Sequence, residues 1–299
     1  MKRTLYFGNP CYLKTKNEQL IIHFPEENQL PEKSFPIEDL GIVILDHQQI
    51  TIGHALLSKL LENNVALISC NSIHLPTGLM LNLDGNTLQS QKFRAQFNAS
   101  LPLKKQLWQQ TVIAKISNQM ALLDKLGRPT AYLENLSGAV RSGDPDNQEA
   151  KAASFYWKQL FGTDSNFVRD RFGSPPNNLL NYGYAILRAI VARALVASGL
   201  LPTLGIFHRN QYNAYCLADD IMEPYRPWVD MLVFQLVRNR GQYLELSPDM
   251  KKQFLELPVM DVLIEGVTSP LMTAVSKTTA SLVKCFEGTE KKIIYPKFH

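Results

Sequence analysis

The sequence predicts an α+β protein, with a small β-rich, sandwich-like N-terminal domain over residues 1–84 and an all-α domain over residues 85–299. Three observations carry this. Short runs of branched apolar residues, separated by turn formers, fill the first part. Asp84-Gly85-Asn86 then marks a turn. Beyond it, apolar residues recur at helical rather than strand spacing.

In chain order, the expected strands are Leu5-Tyr6-Phe7, Leu20-Ile21-Ile22, Ile42-Val43-Ile44-Leu45 and Ala66-Leu67-Ile68-Ser69-Cys70. Asn9-Pro10, Pro25 and Asn71-Ser72 punctuate them, as expected of a small sandwich or meander. One helix interrupts, from Gly53 to Glu62, where Ala55, Leu56, Leu57, Leu60 and Leu61 follow a helical stripe. In the second part a long helix spans 103–126 and stops at Gly127 and Pro129. Others cover 149–161, ended by Gly162; 178–198, with Gly199 as its cap; and 229–240, ended by Gly241. Segments 249–257 and 268–286 also read as helical, and the Lys291–Lys297 tail as mobile.

Composition narrows the class. A chain of 299 residues with 45% hydrophobic and 19% charged residues is an ordinary well-packed protein, not a disordered one. Cys11, Cys70, Cys216 and Cys285 show no paired spacing, which argues against a zinc ribbon or a disulfide framework. Gly8, Asn9 and Pro10 interrupt any leader-like apolar run, and no apolar run approaches the ~18 residues that span a bilayer. The reading is cytoplasmic, with no membrane partner. The net charge of +4 is uneven: residues 1–84 hold 6 Lys/Arg against 9 Asp/Glu, whereas residues 85–240 hold 18 against 11. The middle of the chain therefore suits a polyanion, although a solvated basic surface has the same composition.

The candidate chemistry gathers in two stretches. In the first, His208 follows an apolar run and Gly205, and Asp219, Asp220 and Glu223 follow on one helix that Pro224 ends. Residues three or four apart share a helix face, so Glu223 is expected above Asp219 and Asp220. Arg209 and Arg226 could neutralise these acids as salt bridges. A neutral imidazole among carboxylates is instead a mixed nitrogen and oxygen set suited to Mn²⁺ or Mg²⁺. In the second stretch, Glu149 stands at a helix start, where Asp146 and Glu149 have capping-box spacing. A cap and a ligand are both open there. Lys151, Lys158, Arg169, Arg171, Arg188, Arg193 and Arg209 could hold phosphates, and Tyr182, Tyr184 and the Phe155-Tyr156-Trp157 run could stack on bases or fill the core.

Several of these motifs together resemble the DNA integrase/endonuclease family of CRISPR adaptation. They are the Glu149 helix start, Asn181-Tyr182-Gly183-Tyr184, Gly199-Leu200-Leu201-Pro202 leading to Gly205-Ile206-Phe207-His208, and Leu217-Ala218-Asp219-Asp220 leading to Glu223-Pro224 and Arg226-Pro227. Ile44-Leu45-Asp46, Gln49-Ile50-Thr51 and His74 with Pro76 and Gly78 add to it. The resemblance spans nearly the whole chain and is strongest to the type II version. It implies a Mn²⁺- or Mg²⁺-dependent enzyme whose ligands are Glu149, His208 and Glu223. Many relatives carry aspartate at the third position, so Asp220 ranks second there. It further implies a homodimer in which the N-terminal domain contributes to dimerisation and to the DNA path. The expected partners are duplex DNA with 3′-hydroxyl ends, CRISPR repeat DNA, a small ferredoxin-fold protein of the same system, and the type II effector nuclease. The implied reaction is insertion of short foreign duplexes into a CRISPR array. A stand-alone metal nuclease acting on branched or single-stranded DNA and a non-catalytic DNA-binding subunit are the alternatives.

Overall fold

The computed structural model describes residues 2–25, 30–162, 167–240 and 246–299. The chain divides into two compact units, Met1–Thr87 and Leu88–His299.

The first unit contains β1 (Arg3–Phe7), β2 (Cys11–Lys16), β3 (Gln19–His23), β4 (Lys33–Pro36), β5 (Leu40–Leu45), β6 (Ile50–Ile52), α1 (His54–Glu62), β7 (Ala66–Cys70) and β8 (Pro76–Met80). Two four-stranded sheets result, in the orders β1-β5-β7-β8 and β4-β3-β2-β6. The meander expectation does not hold. β1, β5 and β7 run parallel, and only β8 closes that sheet antiparallel. Parallel neighbours need a crossover connection, and α1 lies in the one from β5 to β7. The β5 run Leu40–Ile44 is buried throughout rather than alternating, as expected of a strand covered on both faces. Leu13, Leu20, Leu40, Val43, Leu56 and Leu60, drawn from both sheets and from α1, form one apolar cluster.

At the end of β5, Asp46 is buried and accepts a hydrogen bond from Tyr6 Oη at 2.6 Å. His74 Nδ1, in the turn before β8, lies 2.9 Å from its other oxygen.

The second unit contains α2 (Gln89–Phe97), α3 (Leu101–Lys125), α4 (Ala131–Gly138), α5 (Gln148–Phe161), α6 (Asn177–Ala197), α7 (Cys216–Met222), α8 (Arg226–Arg240), α9 (Pro248–Phe254), β9 (Asp261–Ile264), β10 (Val267–Pro270) and α10 (Leu271–Phe286). It is therefore not all-α. Glu265 and Gly266, both with positive φ, turn β9 back onto β10, so the last helix starts at Leu271 rather than near 268. Two consecutive left-handed residues match the twist of a two-residue hairpin. Gly241, expected to end the helix from 229, lies outside the described residues.

α6 is long and apolar enough to cross a membrane, but 83% of its apolar window is buried against the rest of the unit. It is the central core helix, packed by α7, α8 and α10. Ser100 caps α3 by accepting from Leu103 N at 3.3 Å, and Pro102 suits the first turn.

The expected mobility of Lys291–Lys297 does not hold either. Ile293 N donates to Gln110 Oε1 at 2.9 Å, Tyr295 Oη meets Thr111 Oγ1 at 2.8 Å, and Phe298 N donates to Asn118 Oδ1 at 3.1 Å. Polar side chains on α3 hold the segment in place.

Candidate functional site

α5 begins on a backbone that frees Glu149. Asp144 and Asn147 both adopt left-handed φ, and the Asp144 carboxylate accepts from Gln148 N at 2.9 Å and Glu149 N at 3.0 Å. Asp144 thus does the capping. Asp146 pairs with Arg141 instead, at 2.7 and 2.8 Å, so the expected Asp146–Glu149 capping box does not form. The Glu149 side chain turns to Lys115 on α3 and bonds its ammonium.

The expected single acidic helix also resolves differently. Pro224 tightens one turn, Glu223–Tyr225, into a 3-10 geometry between α7 and α8, and the three acids diverge. Asp219 takes a two-pronged bond from Arg188 at 2.6 and 3.1 Å and another from Asn213. Asp220, fully buried, accepts from Ile206 N at 2.7 Å, Phe207 N at 3.0 Å and His208 N at 3.2 Å, and its Oδ1 lies 2.6 Å from His208 Nδ1. Both its oxygens are engaged, so it orients the histidine, and its surroundings do not support the second-rank ligand role.

Gly205 permits this clasp. A Cβ there would stand 2.4 Å from the His208 carbonyl oxygen and 2.8 Å from Asp220 Oδ2. Trp108 stacks on Phe207 at 4.2 Å and meets the His208 ring edge-on at 5.7 Å, fixing the imidazole from a second side.

Glu223 completes the arrangement. Its Oε2 lies 2.6 Å from Lys115 Nζ, and its Oε1 lies 2.8 Å from the Arg226 guanidinium. The Oε2 contact is a close ion pair. Burial alone would raise the Glu223 carboxyl, but Arg226 and Lys115 outweigh it and hold it below the usual carboxylate range. Burial would likewise lower Lys115, and the Glu223 and Glu149 carboxylates reverse that and raise it. His208 is raised first by its bond to Asp220, with smaller help from Glu223. Glu223 therefore interacts with both other candidates, sharing Lys115 with Glu149 and acting on His208 through space.

Among the described residues, no three His, Cys, Asp or Glu side chains are already gathered as a metal-binding group. The donor chemistry nevertheless fits one. Two carboxylates turn to a common cation. The imidazole has Nδ1 committed to a carboxylate, which fixes ring orientation as histidines that ligate metals through the other nitrogen require.

A cavity of about 450 Å³ opens beside Glu149, walled by Lys115, Lys158, Arg169, Tyr184 and Arg226. A second, of about 350 Å³, is lined by His208, Lys104 and Arg209. Of the expected phosphate contacts, Lys158, Arg169 and Arg209 stand at these cavities, whereas Lys151 and Arg171 are exposed elsewhere and Arg188 is tied to Asp219. Arg193 is buried. Tyr182 is also buried, edge-on to Phe254 at 5.4 Å, so it packs the core and stacks on no base.

Two features escaped the sequence reading. Lys115 was one, although the stripe Trp108, Val112, Lys115, Gln119, Leu122 places a lysine where a core residue belongs. The other is Asp230, which accepts from Tyr156 Oη at 2.8 Å and from Tyr184 Oη, while Arg226 lies 4.8 Å above the Tyr184 ring.

A family model described as CRISPR associated protein Cas1 matches residues 5–245. The chain is 37% identical over 281 residues to a Neisseria meningitidis serogroup C (strain 8013) protein named CRISPR-associated endonuclease Cas1, covering 93% of this chain and 90% of that one. It is 27% identical over 236 residues to a Pyrobaculum aerophilum protein named CRISPR-associated endonuclease Cas1 2, covering 75% and 79%. Among solved structures, a casposase bound to integration product superposes with a TM-score of 0.81 at 20% identity, covering 98% of this chain and 92% of that one. A Cas1 protein from Thermotoga maritima superposes at 0.73 and 18%, covering 96% and 98%. Likeness at such identity speaks for the fold alone.

Proposed function

This chain belongs to the Cas1 family of CRISPR-associated proteins, and from that premise we propose that it is a metal-dependent DNA integrase and endonuclease of spacer acquisition. The observation that carries the reading is the meeting of Glu149 and Glu223 at one cationic centre, with His208 clamped by Asp220 within electrostatic reach.

Glu149, Glu223 and the Nε2 atom of His208 would hold Mn²⁺ or Mg²⁺, which when bound supplies Lewis acidity toward a phosphodiester oxygen. The protein's own groups do the rest. Arg226 and Lys115 keep Glu223 ionised at neutral pH, so it is ready to donate oxygen lone pairs. Asp220 fixes the His208 ring through one side-chain and three backbone contacts. Arg169 and Lys158 at the larger cavity would hold DNA phosphates, which positions the backbone without reading its sequence.

The reaction is in-line transesterification. A 3′-hydroxyl on a short duplex attacks a phosphodiester at the edge of a CRISPR repeat, the new ester bond forms, and the leaving 3′-hydroxyl takes the proton. With water as the attacking group, the same site is a nuclease. The protein acts in the cytoplasm as a homodimer of the type II kind, with the N-terminal unit contributing to dimerisation and the DNA path. It works with a small ferredoxin-fold CRISPR-associated partner and with the effector nuclease. The solved likenesses include assemblies described as a Cas6-RT-Cas1–Cas2 complex and a TtCas1–DNA complex, which supports a partner protein and DNA as the things bound.

The test is strand joining of a 3′-hydroxyl duplex into a repeat-bearing plasmid with Mn²⁺ or Mg²⁺ and the partner present. Glu149→Ala, His208→Ala and Glu223→Ala should each bring joining below detection while duplex binding, measured by gel shift, persists. Full activity in all three would overturn the ligand assignment. Cleavage that needs neither the partner nor a 3′-hydroxyl would favour a stand-alone nuclease, and binding without any product a non-catalytic subunit.

A further inference from the structure

Lys115 lies at the centre of the site, and beyond keeping Glu223 ionised the reaction gives it no part. It reaches from α3 to two carboxylates carried by different elements, Glu149 at the start of α5 and Glu223 at the junction of α7 and α8. The Lys115 and Glu223 side chains are each 6% exposed, so their ion pair is shielded from water. A buried ammonium is costly unless charges neutralise it, and a buried carboxylate such as Glu223, with the half-buried Glu149 on the same ammonium, is costly without a cation. Lys115 and Arg226 pair with the two acids, so neither carboxylate is without a cationic partner before anything else enters the site.

We propose that Lys115 is a built-in counter-cation that competes with the divalent metal for Glu149 and Glu223, keeping the two acids assembled while weakening metal binding. The proposal rests on the reading of these acids as ligands. Its physical content is simple. For Glu149 and Glu223 to hold a metal, the Lys115 ammonium would have to release at least one of them, so the carboxylates would be offered to the metal already paired rather than uncompensated. Methionine at position 115 preserves length and apolar stem but removes the positive charge. The carboxylates would then repel each other in the apoprotein and attract a divalent cation more strongly.

Two further features of α3 agree with this role. Gln119, one turn on, also lines the larger cavity, and Asn118 donates to the Pro224 carbonyl at 2.8 Å, so the helix is braced against the Glu223 turn independently of the lysine. Removing the charge therefore leaves the helix seated.

The experiment is Mn²⁺ calorimetry and thermal melting on the full-length protein, comparing wild type, Lys115→Met, Glu149→Gln and Glu223→Gln. In chelator, Lys115→Met should melt below wild type. Its Mn²⁺ Kd should nevertheless be tighter by about tenfold, equivalent to ~1.4 kcal/mol, and its Tm should rise more on adding Mn²⁺. A lysine with a merely structural role would leave Mn²⁺ affinity unchanged or weaker on removal, and that result in folded Lys115→Met overturns the proposal.

If Lys115→Met does not fold, wild type carrying ¹⁵N-lysine keeps the question decidable. Its protected ammonium resonance should shift or broaden as Mg²⁺ is added; an unchanged resonance while calorimetry records binding overturns the proposal. If Glu149→Gln and Glu223→Gln both bind Mn²⁺ as wild type does, the ligand reading falls and takes this one with it. If both weaken binding while Lys115→Met binds as wild type does, only the counter-cation role falls.

Discussion

Each unit contains a buried aspartate bonded to the Nδ1 atom of a partly exposed histidine. In the first it is Asp46 with His74 at 2.9 Å; in the second, Asp220 with His208 at 2.6 Å. Taken as pairs they are near duplicates, yet their company differs. The second oxygen of Asp46 accepts from the Tyr6 phenol, and its pair braces the turn between β7 and β8, where Asn71 Oδ1 also accepts from Leu75 N. Asp220 is wrapped by three successive backbone N–H groups, and its histidine is raised in part by the field of Glu223. An Asp–His pair is therefore a structural clasp until a second, ionised acid stands near the imidazole. The second pair meets that condition, with Glu223 acting on His208.

A third buried aspartate extends the comparison and carries the largest expected effect. Asp230 has phenols in place of an imidazole, and burial pushes its carboxyl up to about 6. A carboxyl raised in the native state holds its proton more tightly there than in the unfolded chain. The cost of ionising it is absent below the unfolded value near ~4 and fully present above ~6. Between pH 4 and pH 7, wild type should lose roughly 2 kcal/mol of stability relative to Asp230→Asn. Urea unfolding of both proteins at the two pH values measures this, and parallel pH profiles would show that the two phenols and nearby Arg226 already offset the burial.

A smaller effect separates the two histidine clasps. Asp220→Asn should weaken Mn²⁺ affinity by about 10- to 100-fold, the usual consequence of removing the partner that orients a metal-binding histidine. Asp46→Asn should leave it unchanged while lowering Tm. Calorimetry on the two variants checks both, and equal losses of affinity would mean that the clasps are not functionally distinct.

Much of this was legible in the sequence, for identifiable reasons. Strands and helices with clear apolar periods were visible, as was His208, through its place near the carboxylates and in the Gly205-Ile206-Phe207-His208 motif that carries the family resemblance. The partners of the acids were not visible. Asp219, Asp220 and Glu223 sit close along the chain, and helical spacing alone put them on one face; the 3-10 turn at Pro224 sends them in three directions. The capping-box spacing at Asp146 misdirected in a similar way, because Asp144 on a left-handed backbone reaches the same N–H groups first. Tyr182 reads from the sequence as core ahead of stacking platform, and its packing against Phe254 places it in the core. The β9–β10 hairpin was missed for a different reason. Its turn residues, Glu265-Gly266, carry the signal, but the helical pattern on both sides dominated the reading.

The central claim is that Glu149, Glu223 and His208 serve one cation, and pulsed electron paramagnetic resonance of bound Mn²⁺ tests it most directly. Wild type should show nitrogen modulation from a single imidazole, lost in His208→Ala and retained in His74→Ala, with the metal signal itself lost in Glu223→Ala. Bound Mn²⁺ without nitrogen coupling, or with coupling that survives His208→Ala, would contradict it.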